Sequence, residues 1–426
     1  MNGRTLAPRQ DLNGLGGANR PGGDLLRRAE EWLQTVAHPT TRVAERSGWG
    51  VGPDNVSVFH DLTFEEERRL LDEAMDWQCR KYDAGFAALS WPREFGGGGL
   101  GATADALFAR LERGYLTPPG HELLSVTVAL VAPTIRAFGS PHQQERFIQR
   151  FLRAEELCCQ LFSEPDAGSD LASIGTRAAR TLDGDWTVHG QKVWTSGAQF
   201  AEWGLLIART DPASSRHRGL TAFLVPMDDP GVEVRPIRQM SGGTSFNEVY
   251  LTGVRLADSF RLGEEGDGWK VAMTTLGFER AGGAGSRDVG GSWEQVVDLA
   301  QHLQVHQSPI VRQDLAKLYI LARVRDMTAE RVEQQTLASA APGPECSIGK
   351  LLWTRHLAEI SDVVGRILGP RLTADTGEWG TYAWKDHVLG APGYRIAGGS
   401  DEIQRSIVSE RVLGMPKDPS ARAATI

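Results

Sequence analysis

Apolar residues recur every three or four positions through "TFEEERRLLDEAMDWQCRKYDAG" and "PHQQERFIQRFLRAEEL", the spacing of a helix with one buried stripe. The chain from Asp24 to about Glu156 is therefore expected to be helical. Between about Cys158 and Arg261 the texture changes to short β-rich runs, "DWTVHGQKVW", "WGLLIART", "LTAFLVP", "VEVRPIRQ" and "FNEVYLT", separated by Gly, Pro, Asp and Ser. These predict an antiparallel sheet, with His189-Gly190 as the tight turn of a hairpin. From about Gly266 helical spacing returns in "SWEQVVDLAQHLQV", "IVRQDLAKLYILARVRDMTAERVEQQ" and "SIGKLLWTRHLAEISDVVGRIL", with "QTLASAAPGPE" read as a loop between helices. The order predicts an α+β fold: an N-terminal helical domain over residues 24–156, a central antiparallel β domain over 157–262 and a C-terminal helical domain over 263–426. Residues 1–23, rich in Gly, Pro, Asn and Arg and without the apolar stretch of a secretory signal, read as a disordered tail.

Composition narrows the function. A formal net charge of -8 with no long basic block argues against general nucleic-acid binding. The best apolar run, "VTVALVAPTI", is about half the ~20 residues a bilayer span requires and is broken by Pro133. Four cysteines without a CxxC pair, and ten histidines without metal spacing, indicate neither a disulfide framework nor a metal site, which fits a reducing cytoplasm. The expected partner is a small molecule.

The motifs are individually modest. "FGGGGLG" satisfies GxGxxG, but it follows "WPREF" in a helical region rather than a buried parallel strand, so a flexible turn is expected there and not a phosphate cradle. GxSxG, HExxH and P-loop signatures are absent. "CQLFSEPDAGSD" joins an apolar entry to a turn whose backbone N–H groups and hydroxyls suit a ligand with carbonyl and phosphate oxygens. Trp194 followed by Thr195 and Ser196 offers a flat ring beside two hydroxyls. "IAGGSDEIQRSIVSERVLG" places Gly398-Gly399 before the N-cap Ser400 and permits close approach to a planar ligand.

Taken in order, "WPREFGGGGLG", "FSEPDAGSD", "DWTVHGQKVWTSG", "FNEVYLTGVRL", "GDGWKVAMTTLGFERAG" and "IAGGSDEIQRSIVSERVLGMP" resemble the acyl-CoA dehydrogenase family of flavoproteins. The variants resemble an actinobacterial branch that acts on sterol side chains, unusual acyl-CoAs and natural-product thioesters. The resemblance implies an N-terminal helical domain, a central β domain and a C-terminal four-helix bundle, with FAD between the last two. It implies that Gln160, Phe162, Ser163, Gly168 and Ser169 line the flavin, with Ser169 toward the acyl-CoA. Trp194, Thr195 and Ser196 would cover the ring, and Gly398, Ser400 and Glu402 would reach it from the last helix. Arg366 and Gly369 of "GRILGP" occupy the place where relatives carry a glutamine before Leu-Gly at the adenine end, and Gln301 stands where an arginine often meets a neighbouring subunit's FAD.

Dehydrogenation of a thioester between Cα and Cβ needs a base for the α-proton while hydride leaves Cβ for flavin N5. Most family members carry that base at the position of Gly398, which has no side chain to offer. A second family solution places a glutamate before an arginine on the preceding helix, and Glu279-Arg280 matches it, with Glu279 as base and Arg280 ordering the entrance. Gly398 and Arg280 then also face substrate. The implied partners are an acyl-CoA or carrier-protein thioester, an electron-transfer flavoprotein or similar acceptor, and a homo- or heterotetrameric assembly. A flavin monooxygenase such as an N-hydroxylase, and an FAD-poor partner subunit, are alternatives on the same scaffold; Glu279 weighs against both.

Overall fold

A computed structural model describes residues 21–39, 55–214, 216–282, 289–339 and 343–417. Residues 1–20, and with them most of the expected tail, lie outside that description, and the first helix, Pro21–Val36, starts immediately after them. The N-terminal region continues through Phe64–Asp83, Ala102–Glu112 and Pro141–Leu152. Capping boxes start two of these helices, Thr63 with Glu66 and Ser140 with Gln143, each satisfying backbone donors that a helix start leaves bare.

The run around Pro133 is helical throughout. Glu122–Ser125 passes into a π-helical turn at Val126–Val131 and then into Ala132–Phe138. Pro133 does not break it, because the widened turn before it already bonds Ala132 N–H five residues back, to Thr127 O. The "FGGGGLG" turn is a turn, but a tied one. Gly96, Gly97, Gly98 and Gly99 donate to carbonyls of Arg93, Pro92, Ala88 and Trp91, so their N–H groups are spent inside the chain.

Among the described residues the central sheet has eight strands. Seven run in the order Arg261–Leu262, Leu220–Pro226, Trp203–Arg209, Arg177–Arg180, Trp186–Ser196, Phe246–Leu256, Val232–Ile237, and Cys158–Leu161 pairs in parallel with Trp203–Arg209. The sheet is mainly antiparallel, with that parallel strand and one parallel bridge, Arg177 to Arg209, as exceptions. Two inner strands are buried on both faces, and their alternation divides the interior. Leu205, Ile207, Leu220, Ala222 and Leu224 join Ile135, Phe147, Phe151 and Val271 in one core, while Leu206, Ala208, Phe223 and Val225 join Trp186, Val188, Val249 and Val254 in another.

His189-Gly190 is not a turn. Both lie inside the continuous strand Trp186–Ser196, at a bulge, and the preceding hairpin turns at Thr181–Asp185 instead. Glycine at 190 serves close approach: a β-carbon there would stand 2.2 Å from Thr176 Oγ1.

The C-terminal region comprises Gly268–Gly282, Trp293–His302, Pro309–Ser339, Cys346–Leu368, Trp384–Tyr394 and Asp401–Ile407. The expected loop at "QTLASAAPGPE" is shorter than its composition suggests, since Gln335 to Ser339 complete the long helix; alanine and leucine favour that continuation.

Candidate active site

Strand Cys158–Leu161 delivers the chain into the turn that begins at Phe162, and a buried lysine fixes that turn. Lys192 Nζ donates to Phe162 O at 3.0 Å, Ile207 O at 2.9 Å and Glu164 Oε1 at 2.8 Å, and Val193 N–H donates to Ser163 O at 2.9 Å. Glu164 also accepts from the Gly175 and Thr176 N–H groups, at 2.6 and 3.0 Å. Burial pushes Lys192 down to about 8 against the pull of Glu164. Gln160 and Ser163 are half-buried, Phe162 is buried, and Gly168 and Ser169 are exposed on the turn.

Strand Trp186–Ser196, which carries Lys192, ends at the predicted aromatic platform. Trp194 has a left-handed φ of 62° and an indole 59 % exposed, a conformation an ordinary residue avoids and a position a large apolar ring avoids. Thr195 is buried and its hydroxyl has no hydrogen-bond partner. Ser196 is half-buried. An exposed ring, an orphaned hydroxyl and a second hydroxyl in three consecutive residues suit a planar heteroaromatic ligand with a polar edge. Aromatic contacts run on from there: Trp194 to Phe246 at 6.1 Å, Phe246 to Phe59 at 5.4 Å, Phe59 stacked on Tyr394 at 4.9 Å, and Tyr394 to Trp353 at 4.5 Å. They link the sheet to the C-terminal helices.

Glu279 lies on helix Gly268–Gly282, one turn beyond Thr275, whose hydroxyl meets Thr134 Oγ1 at 3.0 Å in the interior and anchors the helix. A β-carbon built on Gly398 would stand 2.8 Å from Glu279 Oε1 and 3.9 Å from Lys350 Cε. The carboxylate thus occupies the space a side chain at residue 398 would enter. Arg280 follows in the same helix, and its side chain lies outside the described residues.

The glycine turn is held by polar groups. Lys350 Nζ donates to Ala397 O and Gly399 O, and Gln404 Nε2 donates to Gly398 O at 2.9 Å. Ser400 caps the following helix through Ile403 N–H, and Glu402 is exposed in its first turn. Burial lowers the Lys350 pKa, while the charges of Asp401 and Glu279 oppose that shift. Enclosure raises the Tyr394 phenol, and the charges of Glu122 and Glu279 push it the same way.

Arg366 and Gly369 are not brought to this cluster. Arg366 forms a two-point pair with Asp314, Nε to Oδ2 and Nη2 to Oδ1 both at 3.0 Å, and Gly369 ends the Cys346–Leu368 helix. Sequence reasoning missed Lys192, Glu122, Lys350 and Tyr394. Lys350 had a signal: it falls on the buried face at 346, 350, 353, 357 and 360, where a lysine has no place unless it is paired.

A separate cluster, His60, Glu67 and His121, brings its ligand-type atoms within 4.8 Å of one another. His121 Nδ1 accepts from Leu123 N–H at 3.1 Å, so its proton sits on Nε2 and is donated to Glu67 at 3.3 Å. That tautomer makes the cluster a hydrogen-bonded buttress beneath the Glu122 turn and leaves no lone pair on that nitrogen for a cation.

Comparison with known proteins agrees with this geometry. Residues 64–155, 159–254 and 266–413 match the N-terminal, middle and C-terminal domain profiles of acyl-CoA dehydrogenases. The acyl-CoA dehydrogenase IpdE1 of Mycobacterium tuberculosis is 39% identical over 366 residues, 83% of this chain and 90% of that protein. Among solved structures, a variant of the Tcur3481-Tcur3483 steroid ACAD aligns with TM-score 0.70 at 27% identity, covering 93% of this chain and 99% of that one. The ChsE4-ChsE5 complex from Mycobacterium tuberculosis aligns with TM-score 0.68 at 26% identity, covering 94% and 99%. The chain belongs to the acyl-CoA dehydrogenase family, oxidoreductases that carry out the flavin-dependent dehydrogenation of acyl-CoA.

Proposed function

We propose that Glu279 is the base that removes the α-proton of the thioester and that the flavin is FAD. The observation that carries this reading is the position of Glu279 Oε1, 2.8 Å from where a β-carbon of residue 398 would stand. The surrounding residues suit FAD: Trp194, Thr195 and Ser196 against its ring, Gln160, Phe162, Ser163, Gly168 and Ser169 along an edge, and Gly398, Ser400 and Glu402 from the C-terminal side. When bound, FAD supplies the acceptor for the hydride that leaves Cβ.

The chain's own work is positioning and proton transfer. Glu279 takes the proton. The Gly398 N–H, which has no acceptor among the described residues, donates to the thioester carbonyl and stabilises the enolate-like charge. Lys350 fixes the carbonyls on both sides of Gly398 and places a cation near Glu279. Arg280 orders the entrance. Reducing equivalents pass to an electron-transfer flavoprotein or similar acceptor. Assembly as a tetramer, of this chain or with a second acyl-CoA dehydrogenase chain, is supported by Ile320, Val324 and Met327, exposed apolar residues at helical spacing on Pro309–Ser339, and by the ChsE4-ChsE5 complex among the solved relatives.

The test is anaerobic titration with straight, branched and sterol-derived acyl-CoAs while flavin absorbance is followed. A member of the panel should bleach the flavin, and E279Q should slow that bleaching by about 10²–10⁴-fold while retaining FAD. Bleaching at the wild-type rate in E279Q would remove Glu279 from the role.

A further inference from the structure

We infer that Phe59 is a positioning residue for hydride transfer: its ring is the spacer that sets how far the Trp194 platform stands from the glycine turn at Gly398, and so how flavin and Glu279 meet the acyl chain. This role rests on the dehydrogenase reading of the site and adds to it a residue that acts through the two groups it separates.

Phe59 belongs to a segment, residues 55–61, that has neither helix nor strand, so its contacts rather than a backbone ladder decide where it lies. The first half is set into the C-terminal helices. Val56 is buried with Trp384 and Val58 with Leu357, and Gly290 N–H donates to Ser57 O at 3.2 Å. The second half is set against the sheet. A β-carbon on Gly243, in the loop before strand Phe246–Leu256, would stand 2.1 Å from His60 O, and His60 Nε2 lies 3.4 Å from Ser245 Oγ. The segment is thus anchored on both sides of the cleft, with Phe59 at the crossing.

The ring touches both sides. It meets Phe246 edge-on, centroids 5.4 Å apart at 73°, and stacks on Tyr394 at 4.9 Å and 20°. Toward the sheet, Phe246 pairs with Ser196 across the strands and packs edge-on against Trp194 at 6.1 Å. Toward the helices, a β-carbon on Gly393 would stand 2.6 Å from Phe59 Cε2, so the ring lies directly on that backbone. The Gly393 carbonyl accepts from Ile396 N–H at 3.0 Å and Ala397 N–H at 2.9 Å, and Gly398 is the next residue. One ring therefore reaches the Trp194 indole through a single side chain and the turn that accommodates Glu279 through a single backbone carbonyl. Close-packed groups pass a displacement on because no free space absorbs it, and a misplacement of about 1 Å can cost 10²-fold in rate.

The test uses FAD-loaded enzyme and the acyl-CoA of the panel that bleaches the flavin fastest. For wild type, F59L, G393A, the double variant and V58A it reads the stopped-flow rate of flavin reduction at saturation, the acyl-CoA dissociation constant, and hydrogen exchange over residues 395–399. F59L removes the ring and keeps an apolar side chain. G393A keeps the ring but must displace it by about 0.8 Å, from 2.6 Å to an ordinary contact of about 3.4 Å, at a helical position without a left-handed φ where alanine is otherwise favoured. Each should slow reduction by about 10- to 100-fold with acyl-CoA affinity nearly unchanged, and F59L should speed exchange at Ala397. Adding G393A to F59L should cost less than G393A costs wild type, because the ring it displaces is gone. V58A takes apolar volume from the same segment without altering the ring, so it should unfold at lower urea yet reduce at the wild-type rate once loaded. F59L or G393A reducing at the wild-type rate, or V58A slowing reduction as much as F59L, overturns the positioning role and leaves the dehydrogenase reading standing; if F59L does not hold FAD, G393A decides. Wild-type flavin that no acyl-CoA of the panel reduces overturns both.

Discussion

Replacing Gly398 by alanine tests the geometry most directly, because two separable effects meet at that residue. Its φ is 64°, in the left-handed region, where an L side chain costs roughly 1–2 kcal/mol. Its new β-carbon would stand 2.8 Å from Glu279 Oε1, short of an ordinary contact of about 3.4 Å, so the carboxylate must retreat by about 0.6 Å. A displacement of about 1 Å can cost 10²-fold in rate, which makes a loss of about 10- to 100-fold the expectation here. Gly377→Ala supplies the control. Gly377 has a φ of 72° and is exposed, and nothing lies within 4 Å of its would-be β-carbon, so it incurs the backbone strain without the collision. Urea unfolding should show similar destabilisation in both variants, while single-turnover flavin reduction falls only in G398A, with FAD content unchanged. If G398A holds FAD and reduces at the wild-type rate, the carboxylate does not occupy this space and the assignment of Glu279 loses its main support.

Other consequences follow from the buried charges. K192M removes the cation from three acceptors in the interior and should cost about 3–5 kcal/mol in urea unfolding; adding E164Q should restore part of that loss, and additive losses would refute the coupling. K350M frees the Ala397 and Gly399 carbonyls and withdraws a positive charge from Glu279, so kcat should fall and the acid limb of the kcat/KM profile should move to higher pH. For Glu67, burial raises the pKa but the hydrogen bonds from His121 and His60 outweigh it and hold the group at about 2, below its ordinary 4.5. That depressed value supplies stability of about 3 kcal/mol above the ordinary pKa, lost as pH falls toward 2. E67Q should therefore be destabilised by about that amount near neutrality, with the difference from wild type shrinking below pH 4.5; a gap that stays constant through acid unfolding would contradict it.

The elements were legible where one period dominates over many residues, as in Phe64–Asp83, or where a short apolar run is bounded by turn residues, as in Leu220–Pro226. They were misread where a residue serves a contact distant in sequence. Gly190 looks like a turn because glycine permits one, yet it is small because Thr176 crosses the strand there, and no local pattern carries that information. Pro133 looks like a stop, yet a π-turn upstream absorbs it. Cys158–Leu161 is too short to declare a strand by itself and exists through its parallel pairing with Trp203–Arg209.

The site divides in the same way. Glu279-Arg280 stood out as charges among small and apolar residues and became a candidate through the family resemblance, but the relation of Glu279 to Gly398 joins a helix to a turn distant in sequence and needed the fold. A side chain at 398, in the turn before the last helix, would compete for space with the carboxylate from 279, since even a β-carbon there would stand 2.8 Å from Glu279 Oε1. Glycine at 398 thus leaves that space to the Glu279 carboxylate. The same argument explains Lys350, which bonds the carbonyls on both sides of that glycine while the charge of Glu279 acts on it, so one cation supports the turn and the group the turn accommodates. Moving the base to Gly398→Glu with Glu279→Gly should accordingly recover part of the E279G loss, whereas Gly398→Glu in the presence of Glu279 would crowd two carboxylates into one space and force one to remain protonated or turn away.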